Sequence, residues 1–180
     1  MTNPPIQRPD ETEYQPHFGR YIALVPEGEI VALLTAQNES TMALLRGLPE
    51  SSGAFRYAPD KWSIKEVVAH LSDAERIFAV RALRFARSDE TPLPGFEEND
   101  YVRSGGFDAY PLADLAAGFE NVRRSTVSLF KLMSSEASKR RGKANGAEIS
   151  VRALAYVIVG HEIHHVNVLR TRYLEGVQAS

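Results

Sequence analysis

Ser63 opens the stretch that most constrains the fold of this chain. Glu66 follows three residues later, a capping-box pair that satisfies two backbone donors at a helix start. From there Ile64, Val67, Val68, Leu71, Ala74, Phe78, Ala82 and Phe85 recur at helical spacing. They share one side of a long amphipathic helix, whose apolar stripe must be buried against other helices.

Three more stretches carry the same period. Ile30, Leu33, Leu34, Thr41, Leu44, Leu45 and Leu48 form one, stopped by Pro49. Leu112, Leu115, Phe119, Val122, Thr126, Leu129 and Leu132 follow Pro111, a residue favoured at the first helical position. The last begins with Ser150 as its cap and runs to about Glu175, before Gly176. Nothing between them reads as a sheet. Four helices of ~20–28 residues predict an all-α chain, a single four-helix bundle over residues 21–180.

Residues 1–20 carry Pro4, Pro5, Pro9 and Pro16 and read as an extended N-terminal arm, with His17 as a surface residue. Between the second and third helices lies SDETPLPGFEENDYVRSGGFDAY, residues 88–110. A connection that long in a compact domain is usually functional or mobile. It is expected to cover one end of the bundle, with Glu97, Glu98, Asp100 and Tyr101 as solvated rim residues.

Composition narrows the chemistry. The chain has no cysteine, which removes disulfides, thiolate metal sites and a cysteine nucleophile. Any metal must sit on His, Asp, Glu or backbone oxygen. The formal net charge is -2, so no global basic field would hold nucleic acid. Arg123 with Arg124, and Arg140 with Arg141 and Lys143, form small basic runs able to attract an anionic thiol carboxylate, but such runs read mostly as ordinary solvated faces. No apolar run reaches the ~18 residues of a membrane span. The opening MTNPPIQRPDETEYQPHF lacks a basic start and apolar stretch, so the expected compartment is the cytoplasm.

The chemistry concentrates in GHEIHHVNVL, residues 160–169. His161 and His165 lie about 40° apart on a helical wheel. Leu154, Val157 and Val168 share their sector, so the pair faces the apolar interior. Imidazoles buried side by side repel when protonated and need partners when neutral, and a divalent cation answers both demands. H-E-x-x-H is also the zinc-peptidase signature, but no third peptidase ligand follows. Glu175 stands ten residues on, ~15 Å up the same helix. A ferritin-type di-iron centre would need a second Glu-x-x-His, and none lies on a convincing core helix.

The third ligand must therefore come from upstream, and His70 is the candidate, at the edge of the Ser63 helix stripe. Two weak candidates for a catalytic part are Asp73, three residues after His70, and Glu162, which points about 80° from the bisector of its flanking histidines. His164 is read as lining the pocket without binding the ion.

Three stretches, KWSIKEVVAHLSDAE, TPLPGFEENDYV and GHEIHHVNVL in that order, resemble the DinB/YfiT-like family of metalloenzymes. The resemblance runs from the second helix to the end of the chain. It implies a four-helix bundle, often dimeric, with one divalent metal, usually zinc or nickel, on His70, His161 and His165. Family members include low-molecular-weight-thiol S-transferases, a thiol-dependent isomerase and metal-dependent hydrolases. The expected function is thus metal-assisted thiol transfer or hydrolysis on a small molecule, by a cytoplasmic homodimer with no nucleic-acid or membrane partner. The alternative is a non-catalytic bundle that binds metal or a protein partner.

Overall fold

Each of the four apolar stripes forms a helix. The computed structural model describes residues 5–174. In it α1 spans Pro16–Ile22, α2 Ile30–Arg46, α3 Ile64–Ala86, α4 Glu98–Gly105, α5 Leu112–Lys131, α6 Ser135–Lys139 and α7 Val151–Val168. The bundle is α2, α3, α5 and α7. The start of α3 is the expected capping box: Ser63 Oγ accepts from the Glu66 amide, and Glu66 Oε2 accepts from the Ser63 amide. All eight of its stripe residues are buried. Ser150 caps α7 by accepting from the Ala153 amide at 3.0 Å. Beyond Val168 the chain continues as a π-helical turn over Leu169–Leu174; Glu175 and Gly176 lie outside the described residues.

The seam of α5 differs from the stripe expected for it. Its buried positions are Leu112, Ala116, Phe119, Arg123, Thr126 and Phe130, whereas Leu132 is 76% exposed. The apolar residues at 115, 122 and 129 flank this seam, because a charged residue, Arg123, occupies its centre.

α3 packs mainly on α5 and α7, and α2 on the same two helices. The start of α5 lies beside the start of α3, since Ser63 Oγ donates to Asp108 Oδ1 at 2.5 Å just upstream of α5. These two neighbours therefore run parallel. A parallel pair needs a crossover that travels the length of a helix, ~34 Å for twenty-three residues. This is why residues 88–110 are so long. They do not cap one end of the bundle as expected, but run back along α3, with Arg81 Nη2 donating to Pro94 O near one end and Asp108 at the other. Nor are they structureless: α4 lies within them and buries Val102.

A two-stranded antiparallel hairpin, absent from the sequence reading, precedes α7. β1 (Arg141–Ala144) pairs with β2 (Ala147–Ser150), and Leu93 of the crossover bridges to Ala144. Asn145 and Gly146 both have positive φ, 51° and 77°, the two-residue turn whose twist suits a hairpin.

The expected N-terminal arm is also folded in part. After a 3₁₀ turn at Glu11–Glu13 it forms α1, which lies on α7. Its contacts with α7 include an ion pair and a close backbone approach. Arg152 Nε donates to the buried Glu13 carboxylate at 2.8 Å, and Gly160 admits the Tyr21 carbonyl where any Cβ would collide with it. No described helix is long and apolar enough to cross a membrane.

Candidate metal centre

The core falls into two apolar clusters. One gathers around Phe85, Phe130 and the first half of α7; the other gathers Leu71, Leu112 and Phe119 with Leu169 and Tyr173. Two polar groups of residues lie among them, and α7 contributes to both, because its residues from Ala153 to Glu162 are all buried.

The first is the histidine cluster. His70 from α3 and His161 and His165 from α7 each offer a ring nitrogen, and these atoms lie within 4.8 Å of one another. His70 Nε2 and His161 Nε2 are 3.1 Å apart. Trp62, just before α3, packs against His70 with ring centroids 4.7 Å apart and stacks on His165 at 6.4 Å. Tyr21 of α1 stands edge-on to His161 and to His164, each at 5.4 Å. Burial pushes the His70 imidazole down to about 4. His161 and His165 are held well below the ordinary range, first by burial and then by the neighbouring imidazoles. All three are therefore neutral near pH 7, with lone pairs free to bind an ion.

These donors fit a divalent cation of borderline softness: three imidazole nitrogens from two rigid helices, converging in an apolar shell. No further His, Asp or Glu joins the group among the described residues, so coordination positions would remain for a small molecule. His164 stays outside it and packs on Tyr21 and His165. Asp73 turns to Arg76 at 3.0 Å, and burial raises its carboxyl.

Glu162 faces the other way. Its Oε2 accepts from Arg123 Nη1 at 2.6 Å, and its Oε1 accepts from Thr41 Oγ1 at 2.6 Å. Arg123 also grips Glu75 of α3 at 2.9 and 2.7 Å and reaches the Leu34 carbonyl of α2 at 3.3 Å. One guanidinium, fully buried, thus ties all four bundle helices together. The solvated face expected for Arg123 is wrong, because its place on the α5 seam leaves it no route to water. Burial works against its charge, but Glu162 and Glu75 outweigh this and raise its affinity for the proton. Burial raises the Glu162 carboxyl despite Arg123 and Thr41, with a smaller push from the neighbouring Glu75.

A cavity of about 170 Å³ opens on His70 and His161. α1 walls it with His17, Phe18, Arg20 and Tyr21, so His17 is an exposed cavity-mouth residue and not a bystander. α3 adds Phe78 and Arg81, the crossover adds Phe96 and Glu98, and the hairpin adds Asn145 and Glu148. Of the expected rim acids only Glu98 reaches it. Glu97 caps α4 through the Asn99 amide, Asp100 pairs with Arg103, and Tyr101 packs on Phe96 at 5.4 Å. Arg124 pairs with Glu120, Arg140 donates to the Ala86 carbonyl, and Arg141 to that of Thr12. Neither these residues nor Lys143 lines the cavity. Neither α1, the hairpin nor Arg81 was expected among its walls.

Residues 33–169 match the family model of the DinB superfamily. Solved structures with the same fold include YfiT from Bacillus subtilis, described as a probable metal-dependent hydrolase with an unusual four-helix bundle topology. It is 16% identical, with TM-score 0.65 over 91% of this chain and 92% of that one. The mycothiol-dependent maleylpyruvate isomerase is 15% identical with TM-score 0.65, over 81% of this chain but 61% of its own length. A DinB-like protein from Bacillus subtilis is 20% identical with TM-score 0.60, over 81% and 90%. Among curated proteins no sequence matches.

Proposed function

The chain belongs to the DinB superfamily, and on that premise we propose that it is a metal-dependent enzyme acting on a small molecule at the histidine cluster. His70, His161 and His165 hold one divalent ion, zinc or nickel. The preferred reaction is transfer to or from a low-molecular-weight thiol, with hydrolysis the close second. The same reading takes the protein as a cytoplasmic homodimer. The observation that carries the proposal is the convergence of three neutral imidazoles, two of which, His70 and His161, line a cavity.

A bound divalent ion supplies Lewis acidity that lowers the pKa of a thiol or water reaching it. The protein's own part is positional. Trp62 and Tyr21 fix the imidazole planes by ring contact, and Phe78, 6.0 Å from the His161 ring, keeps that wall apolar. Because the chain has no cysteine, a reacting thiol arrives as a cosubstrate. The likeness of the fold to a mycothiol-dependent isomerase and to a probable metal-dependent hydrolase supports both reactions.

The test is turnover after chelation and reloading with zinc or nickel. One assay follows L-cysteine with 1-chloro-2,4-dinitrobenzene, the other hydrolysis of p-nitrophenyl acetate. Metal-dependent turnover lost in His161→Ala supports an enzyme, and the assay that responds selects the reaction. Binding of metal with no turnover in either assay favours the non-catalytic bundle.

A further inference from the structure

Arg81 is buried, with 6% of its surface exposed, and lines the cavity. The protein's other enclosed guanidinium groups have acids: Arg123 has Glu75 and Glu162, and Arg152 has Glu13 and Asp10. Arg81 has none among the described residues. Among the described residues its one hydrogen bond is to the Pro94 carbonyl at 2.8 Å, which leaves most of its five donors for another partner. A buried cation without a counter-charge is costly, and burial accordingly weakens its hold on the proton. The cavity's two acids do not cancel it. Glu148 leans to Arg141 at 4.0 Å, and burial together with the neighbouring Glu97 raises the Glu98 carboxyl, weakening its negative charge.

The position is as informative as the charge. The Arg81 guanidinium lies 5.9 Å from the centroid of Phe78 and 5.8 Å from that of Phe96. Phe78 in turn is 6.0 Å from the His161 ring. Arg81 and the histidines are thus separated by a single aromatic side chain. On α3 Arg81 and His70 are eleven positions apart, close to three whole turns, so both side chains stand on nearly the same face and front the same cavity.

We propose that Arg81 anchors the carboxylate of a small acidic substrate, whose reacting end lies one aromatic ring away at the His70–His161 wall. The inference deepens the proposed function and rests on its reading of this cavity. A planar fork with a single positive charge suits a carboxylate, which accepts two parallel N–H bonds and balances that charge. The aromatic rings between the two ends suit an apolar or unsaturated spacer. The cavity volume of about 170 Å³ limits the ligand to a small molecule.

Binding of three probes tests this without any turnover: 3-phenylpropionate, its neutral amide, and 2-phenylethyl phosphate. The protein's single tryptophan, Trp62, sits against His70, so its fluorescence reports occupancy, with calorimetry alongside. The acid is expected to bind wild type at least ~10-fold tighter than the amide, and Arg81→Gln to weaken the acid by roughly 10- to 100-fold while leaving the amide unchanged. Arg81→Lys should restore only part of the loss, since an ammonium cannot fork. Circular dichroism and zinc uptake show that each variant is folded; if Arg81→Gln is not, the acid–amide difference in wild type and Arg81→Lys decides. Equal binding of acid and amide, or undiminished acid binding in a folded Arg81→Gln, overturns the proposal. A phosphate ester ~10-fold tighter than the acid overturns the carboxylate assignment. Zinc uptake without acid binding removes the anchor alone. Arg81-dependent acid binding without zinc uptake keeps the anchor and removes the metal reading.

Discussion

Replacing Arg123 with methionine should be the most damaging single change in the bundle. The substitution roughly keeps the volume but strips three charged hydrogen bonds of 2.6–2.9 Å from two carboxylates that stay buried. Breaking a buried ion pair by removing one partner costs about 3–5 kcal/mol, and here Glu75 and Glu162 are both stranded. Against a typical total of about 5–15 kcal/mol, that is about a fifth or more of the stability. At about 2–4 °C per kcal/mol for a chain of this size, Tm should fall by roughly 6–20 °C. Urea unfolding followed by helical circular dichroism measures it. The triple variant R123M/E75Q/E162Q should recover part of the loss, because no charge is left buried. A loss below about 1 kcal/mol in R123M, or a triple variant no better than the single, would refute the view of Arg123 as the tie between four helices.

Three further outcomes follow from the same geometry. Gly160→Ala should push α1 off α7, lowering Tm and loosening the Tyr21 wall of the cavity, seen as faster amide exchange over residues 16–22. Gly146→Ala meets no neighbour within 4 Å but must hold φ +77°, so it should cost only about 1 kcal/mol by urea titration. Glu13 has its carboxyl lowered to about 2: burial opposes the charge, but hydrogen bonds from Arg152 and Ser150 prevail. A depressed acid stabilises the fold above its ordinary 4.5 and loses that contribution as pH falls toward 2. Acid titration should therefore show a shallower loss of stability in Glu13→Gln over that window.

The long helices were legible because period and caps agree in them. The α3 stripe and the caps Ser63 and Ser150 stand where the sequence put them. His70, His161 and His165 were legible as a set because only buried histidines at those spacings need one another, and the fold brings them together. The hairpin was missed although Asn145-Gly146 is a strong turn signal. Its strands have only four residues each, too short for the alternation of Ala147, Glu148, Ile149 and Ser150 to stand out beside the helical stripes. Arg123 was misread because its pairing partners are 39 and 48 positions away. The available sign was local: a charged residue midway between Phe119 and Thr126 on an apolar seam. The parallel pairing of α3 and α5 could have been read from the length of residues 88–110, since an antiparallel pair needs only a short turn.

The central claim is that three histidines hold one ion, and metal stoichiometry tests it most directly. Chelated protein would be titrated with zinc and with nickel beside the variant H70A/H161A, with bound metal counted by elemental analysis. Wild type should hold close to one tightly bound ion per chain and the variant none, with helical content unchanged. No uptake by wild type, or equal uptake by the variant, would contradict it.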